Sequence, residues 1–99
     1  MMAKFDFIDE LFDLIMERKA HALEGSYTDR LLDAGVSKIA QKVGEESVEV
    51  VIAALSQSDQ RIVEELADLV YHCLVLMAAK NLTPDMVRAE LEKRHWSRE

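Results

Sequence analysis

Breakers are scarce in this chain. Three glycines and one proline punctuate 99 residues, and the stretches 37–56 and 59–80 contain no proline and only one glycine, Gly44. Apolar residues recur at helical spacing through both stretches. No sustained period-2 alternation and no hairpin dipeptide between apolar runs marks a strand. Two long helices joined by the short link "SQSDQ" must fold back on one another. The expected architecture is therefore an all-α bundle whose centre is one long helical hairpin.

The remaining elements are shorter. The spacing predicts a first helix over residues 5–20, with Ile8, Leu11, Phe12 and Ile15 on one stripe. "HALEGSYTDRLLDAG" breaks that pattern, and Thr28 is the expected cap of a short helix that stops near Gly35. Ser37 is the expected cap of the first long helix, and Ser58 or Asp59 of the second. In "NLTPD", Thr83 as cap, Pro84 at the first helical position and Asp85 in the first turn predict a last helix reaching about His95. Residues 1–99 read as a single domain. A domain this short buries a modest share of its surface, and several of its helices are apolar around much of their circumference. Completion of the core by further copies, as a homo-oligomer, is expected.

Charge and cysteine content narrow the function. A net charge of -7 argues against nucleic acid, whose phosphates demand a basic face, and against an anionic membrane. A polyphosphate ligand would need a divalent cation between it and the protein. One cysteine, Cys73, allows no disulfide within the chain, and a reducing, cytoplasmic setting is expected. "MMAKFDFIDE" has acids where a signal peptide needs an apolar core. The uncharged run "LVYHCLVLMAA" falls short of the roughly 20 residues a bilayer requires.

Acids interrupt the apolar pattern at a few places. In "KVGEESVEVV", Glu45, Glu46 and Glu49 stand at the entrance to an apolar run. A helix advances about 100° per residue, which places Lys38, Lys42, Glu45 and Glu49 within an arc of roughly 60°, with Glu46 at its edge. Val43, Val50, Val51, Ala54 and Leu55 cover the other side. On the second long helix Glu65, Asp68 and His72 share a stripe at spacings of three and four. Asp68 lies among Leu66, Val70, Leu74 and Met77 and is the only formal charge between Leu66 and Ala79. Glu45 and Glu46 by themselves are compatible with a solvated helix face. A lone carboxylate in apolar surroundings is costly unless it is paired, protonated or bound to metal, so Glu49 and Asp68 call for a partner. Lys42 or His72 can serve one of them. Antiparallel helices with E-x-x-E on one and E-x-x-D on the other can also gather Glu46, Glu49, Glu65 and Asp68. An all-oxygen set suits a hard ion such as Mg²⁺ or Mn²⁺. The Glu-x-x-His pairs of a di-iron bundle are absent from these helices.

"SYTDRLLDAGVSKIAQKVGEESVEVVIAA" followed by "EELADLVYHCLVLMAA" resembles the phosphoribosyl-ATP pyrophosphatase family, over about residues 5–95. The E-E-x-x-E and E-x-x-D pair belongs to the wider MazG-like group of all-α nucleoside triphosphate pyrophosphatases. "SYT", "KIAQKVGEE" and "ADLVYH" carry the narrower likeness. The resemblance implies Mg²⁺-dependent hydrolysis of phosphoribosyl-ATP between the α and β phosphates, giving phosphoribosyl-AMP and pyrophosphate, the second step of histidine biosynthesis. It implies Glu46, Glu49, Glu65 and Asp68 as metal ligands, a dimer-based assembly, and a form not fused to the next enzyme of the pathway.

On that basis Lys38 and Lys42 are expected to stabilise phosphate charge and Glu45 to activate water. Ser26, Tyr27, Thr28 and Gln41 are candidate substrate contacts, each with capping or packing as the competing role. His72 is expected to steady a ligand carboxylate, with Tyr71 beside it at an interface or behind the ligands, and Cys73 to act as a small buried hydrophobe. The basic end "KRHWSRE" is read as a solvated helix end anchored by Trp96, or as a cover for bound phosphates through Lys93, Arg94, His95 and Arg98. Two other functions fit the same residues: a house-cleaning pyrophosphatase for another nucleotide, and a non-catalytic helical dimerisation module.

Overall fold

The computed structural model describes the backbone of residues 6–98 and the side chains of residues 6–95. Its helices are α1 (Phe7–Ala20), α2 (Tyr27–Ala34), α3 (Val36–Ser56), α4 (Asp59–Ala79) and α5 (Pro84–Arg98). There is no strand among the described residues, and the all-α expectation holds. The role expected of Trp96 and Arg98 falls outside the described side chains.

Short polar side chains start most of these helices. Asp6 accepts from the Asp9 amide at 3.1 Å, Ser26 from Asp29 at 3.2 Å, Ser58 from Arg61 at 3.3 Å and Thr83 from Met86 at 3.3 Å. Each satisfies an amide that has no partner within its own helix. Two expected caps are corrected. Thr28 lies inside α2, which starts one residue after Ser26. Ser37 lies inside α3, which has no side-chain cap. The reason is that α2 and α3 meet at one residue. Gly35 adopts φ 95° and ψ 173°, a region essentially reserved for glycine, and no extended residue remains from which Ser37 can cap.

The far end of the hairpin closes differently. Asn81 takes a left-handed φ of 61° after α4. The Leu82 amide donates to Met77 O at 2.8 Å and the Asn81 amide to Ala78 O at 3.3 Å, the bond pair of a Schellman motif. Lys19 of α1 reinforces it, donating to Ala78 O at 2.8 Å and to Asn81 Oδ1 at 2.6 Å.

The core draws Phe12 and Ile15 from α1, Leu31 from α2, Ile39 from α3, and Leu74, Val75 and Ala78 from α4. Helix α5 supplies none of these residues. It is tied to α1 by an Arg88–Asp9 ion pair at 2.7 Å. The apolar stripes read from the sequence divide between inside and outside. Ile39 and Ala53 are the buried residues of α3, while Val51, Ala54 and Leu55 are exposed. On α4, Leu74 is buried whereas Leu66 and Val70 are exposed. Val48, Val51, Ile52 and Leu55 on α3, with Val63, Leu66 and Val70 on α4, thus leave an apolar surface uncovered by this chain. The radius of gyration, 14.9 Å, exceeds the ~13 Å of a compact domain of this length.

Ile39 is fully buried, so Ile39→Ala removes a branched side chain and leaves a cavity. A loss of about 2–5 kcal/mol in unfolding free energy is expected. Urea denaturation at matched protein concentration measures it, and a loss below about 0.5 kcal/mol would place Ile39 outside the core.

Candidate functional site

The hairpin sets the height of the acids. Glu46 lies ten residues before the end of α3, and Asp68 nine residues after the start of α4. With a rise of about 1.5 Å per residue, antiparallel helices bring the two nearly level. Glu65, one turn earlier on α4, points to the same place. Glu46, Glu65 and Asp68 each present a carboxylate oxygen, all within 4.8 Å of one another. Three of the four expected ligands therefore meet. Glu49 does not join them: it follows Glu46 by three residues on α3, and its side chain is exposed.

Burial within the group is uneven. Glu65 is only 6% exposed, Glu46 is half-buried and Asp68 is exposed. The sequence pattern had placed Asp68 in apolar surroundings. That expectation is corrected: Asp68, like Leu66 and Val70 on the other side of α4, is left uncovered by this chain. Arg61 pairs with Glu65 one turn away and with Glu64. The guanidinium sets an opposite charge beside the buried carboxylate. Arg61 escaped the sequence reading, although its four-residue spacing from Glu65 was the signal for it.

The cations also took partners other than those expected. Lys42 Nζ lies 3.4 Å from Glu45 and 3.7 Å from Glu46, and neither Glu49 nor Asp68 forms an ion pair among the described residues. Burial lowers the Lys42 pKa, but Tyr27, Glu45 and Glu46 together outweigh it, and the net shift is upward. Gln41 is exposed rather than packed, and its amide donates to Glu45 Oε2 at 2.8 Å. That bond, and then the one from Lys42, hold the Glu45 pKa below its ordinary value. Lys38 is exposed and makes no ion pair or hydrogen bond among the described residues.

Behind the acids stands a hydrogen-bonded aromatic cluster. His72 is 6% exposed, and its Nδ1 lies 2.7 Å from the main-chain carbonyl of Asp68. A carbonyl only accepts, so Nδ1 carries the proton. In the neutral ring Nε2 then accepts from the Tyr27 hydroxyl, 3.0 Å away. His72 thus steadies the Asp68 backbone instead of a ligand carboxylate. Thr28 Oγ1 bonds the Tyr71 hydroxyl, and burial raises the Tyr71 pKa. The "SYT" run is largely accounted for by the fold: Ser26 caps α2, Tyr27 reaches His72 and Thr28 reaches Tyr71. Cys73 is half-buried, its thiol pKa raised by burial, as befits an inert thiol.

The donor set fits a hard divalent ion. Oxygens around an octahedral Mg²⁺ lie about 2.0–2.1 Å from it, hence roughly 3–4 Å from one another. The 4.8 Å spread of Glu46, Glu65 and Asp68 closes to that range with small side-chain rotations. Three carboxylates so close repel one another, and a cation among them relieves the repulsion.

Comparisons with known proteins show the family of the chain. The family model described as phosphoribosyl-ATP pyrophosphohydrolase matches residues 8–95. A phosphoribosyl-ATP pyrophosphatase from Sulfolobus acidocaldarius is 54% identical over 87 residues, 88% of this chain and 92% of the relative. One from Clostridium botulinum strain Kyoto is 47% identical over 93 residues, covering 94% and 84%. One from Saccharolobus islandicus strain L.S.2.15 is 44% identical over 89 residues, covering 90% and 95%. With its five helices, its carboxylate group and this match over nearly its whole length, the chain belongs to the phosphoribosyl-ATP pyrophosphohydrolase family.

Proposed function

We propose that this chain hydrolyses phosphoribosyl-ATP between its α and β phosphates, giving phosphoribosyl-AMP and pyrophosphate, through the carboxylate group on the α3–α4 hairpin. The chain is a hydrolase acting on a pyrophosphate bond, in histidine biosynthesis. The observation that carries the site assignment is the meeting of Glu46, Glu65 and Asp68 within 4.8 Å beside Lys42, in a chain of this family.

Glu46, Glu65 and Asp68 hold Mg²⁺, or Mn²⁺ in its place, and Glu49 joins them by rotation of its exposed side chain. The bound ion supplies charge neutralisation for the triphosphate and Lewis-acid polarisation of the reacting phosphorus. Lys42 faces the reacting phosphates and stabilises charge that develops on them, and Lys38 stands a turn further from the acids. Glu45, kept ionised by Gln41 and Lys42, accepts a proton from the attacking water and passes it to solvent. The water oxygen bonds to phosphorus, the bridging P–O bond breaks and pyrophosphate leaves. His72 and Tyr27 keep the Asp68 turn in place. Tyr27, 41% exposed, stacks on Tyr71 and carries Arg30 over its ring, leaving its open edge to the substrate, and Ser26, Thr28 and Gln41 shape that side of the site.

The working form is a homodimer, or a dimer of dimers. The apolar stripes of α3 and α4 that this chain leaves bare are the kind of surface a partner covers. No helix among the described residues is long and apolar enough to cross a membrane. A reducing cytoplasm accords with the single cysteine, and the net charge of -7 leaves nucleic acid no role.

Purified protein is expected to release pyrophosphate from phosphoribosyl-ATP with Mg²⁺ and to stop when the metal is chelated, with little release from ATP, dUTP or dCTP. Asp68→Asn should retain the fold by circular dichroism and lose activity about 100-fold or more, the scale of removing one preorganised charge at a transition state. Full activity in that variant would remove Asp68 from the ligand set. Millimolar Mg²⁺ or Mn²⁺ should raise the melting temperature of the wild type and not that of Glu65→Gln/Asp68→Asn. Light scattering after gel filtration should give twice the chain mass for the wild type and a shift toward monomer for Leu55→Asp. A wild-type monomer would refute the dimer.

A further inference from the structure

A groove of about 300 Å³ opens between α2 and α3, lined by Tyr27, Arg30 and Leu31 on one side and Lys38, Lys42 and Glu45 on the other. Helical spacing produces it. Tyr27, Arg30 and Leu31 share a stripe of α2, Lys38, Lys42 and Glu45 share one of α3, and the tight corner at Gly35 holds the stripes face to face. The groove concentrates positive charge on a chain whose net charge is -7. That charge is graded along its length. Lys42, nearest the acids, is engaged by Glu45 and Glu46. Arg30 and Lys38 make no direct ion pair with a carboxylate among the described residues, and Lys38 acts on Glu45 only at longer range. Arg30 is nonetheless held in place: its guanidinium lies 5.6 Å from the centre of the Tyr27 ring, and Nη1 donates to Gly25 O at 3.1 Å. Its remaining N–H groups are free to bind an anion, in the fork geometry that suits phosphate.

The proposed substrate has two anionic ends. The triphosphate goes to the carboxylates and their metal. The phosphate of the second ribosyl arm lies on the other side of the purine, away from the converging carboxylates, and it needs cations supplied by the protein itself. We propose that the α2–α3 groove is the subsite for this sugar phosphate, with Arg30 and Lys38 binding the phosphate, so that the groove selects a phosphoribosylated nucleotide over a plain triphosphate. The half-exposed ring of Tyr27 offers the sugar or the base an apolar edge. The groove joins the acids through Lys42 and Glu45, so one molecule can occupy both. The inference rests on the reading that phosphoribosyl-ATP is the substrate, and its test is built to fail separately from that reading.

Ribose 5-phosphate is titrated into the protein in chelator, followed by NMR shifts of α2 and α3 amides. Saturable binding to the wild type is expected, tighter than that of inorganic phosphate or free ribose. Arg30→Gln should weaken it about 10- to 100-fold, the scale of one charge-assisted hydrogen-bonded pair. The same variant should raise KM for phosphoribosyl-ATP by a similar factor and leave Mn²⁺ affinity unchanged. Arg30 is exposed, so an unaltered melt is expected. Wild-type-like binding and KM in both Arg30→Gln and Arg30→Gln/Lys38→Gln would overturn the subsite, as would the absence of ribose 5-phosphate binding to the wild type. Arg30-dependent binding by a protein unable to hydrolyse phosphoribosyl-ATP would uphold the subsite and defeat the functional reading instead.

Discussion

The packing of α3 against α4 is the contact on which the molecule depends. These two helices are the longest, and their hairpin supplies the buried Ile39, Leu74, Val75 and Ala78 of the core. The same packing sets Glu46 level with Asp68 and turns Glu65 toward both. The apolar contacts of the hairpin thus offset the repulsion among three carboxylates. A site of this kind is a local cost borne by a rigid scaffold, and the ion pairs of Arg61 with Glu65 and of Lys42 with Glu46 lower that cost before any ligand arrives.

Position along the hairpin does not by itself make a ligand. Glu49 lies about as far from the turn as Glu65, yet only Glu65 turns inward. Three residues leave Glu49 about 60° around the axis from Glu46, on the neighbouring flank of α3, and there its side chain is exposed. The second layer follows the same logic. His72 stands one turn after Asp68, and its proton on Nδ1 goes to the Asp68 carbonyl. It therefore acts on the helix that carries the ligand and not on the ligand's oxygens. This leaves the Asp68 carboxylate free for a cation.

Much of the fold was legible because its elements are long and the signals local. Helix types, their order, the Ser58 and Thr83 caps and the hairpin itself all follow from spacing and from a few polar residues. The errors fall where one element meets another. Thr28 and Ser37 have the chemistry of caps, but the α2–α3 corner closes on Gly35 and leaves them inside helices. Val51, Leu55, Leu66 and Val70 have the periodicity of core residues and lie outside. Periodicity identifies an apolar side of a helix but does not say whether the same chain covers it. Arg61 and Arg30 were missed because a cation on a helix surface is ordinarily solvated, and only the neighbours reveal its use.

The amino-acid sequence alone determined the helices, the hairpin and the set of acids, since these depend on contacts within a few residues or across one short link. The family likeness also lay in the linear motifs, from "SYT" to "ADLVYH". The tertiary structure decided which acids converge, which cations are left without a carboxylate and where a groove lies beside them. Those properties depend on the rotation of one helix about its axis relative to another. A rotation of a few tens of degrees is invisible in a pattern of residue types, yet it moves a carboxylate into or out of reach of its neighbours.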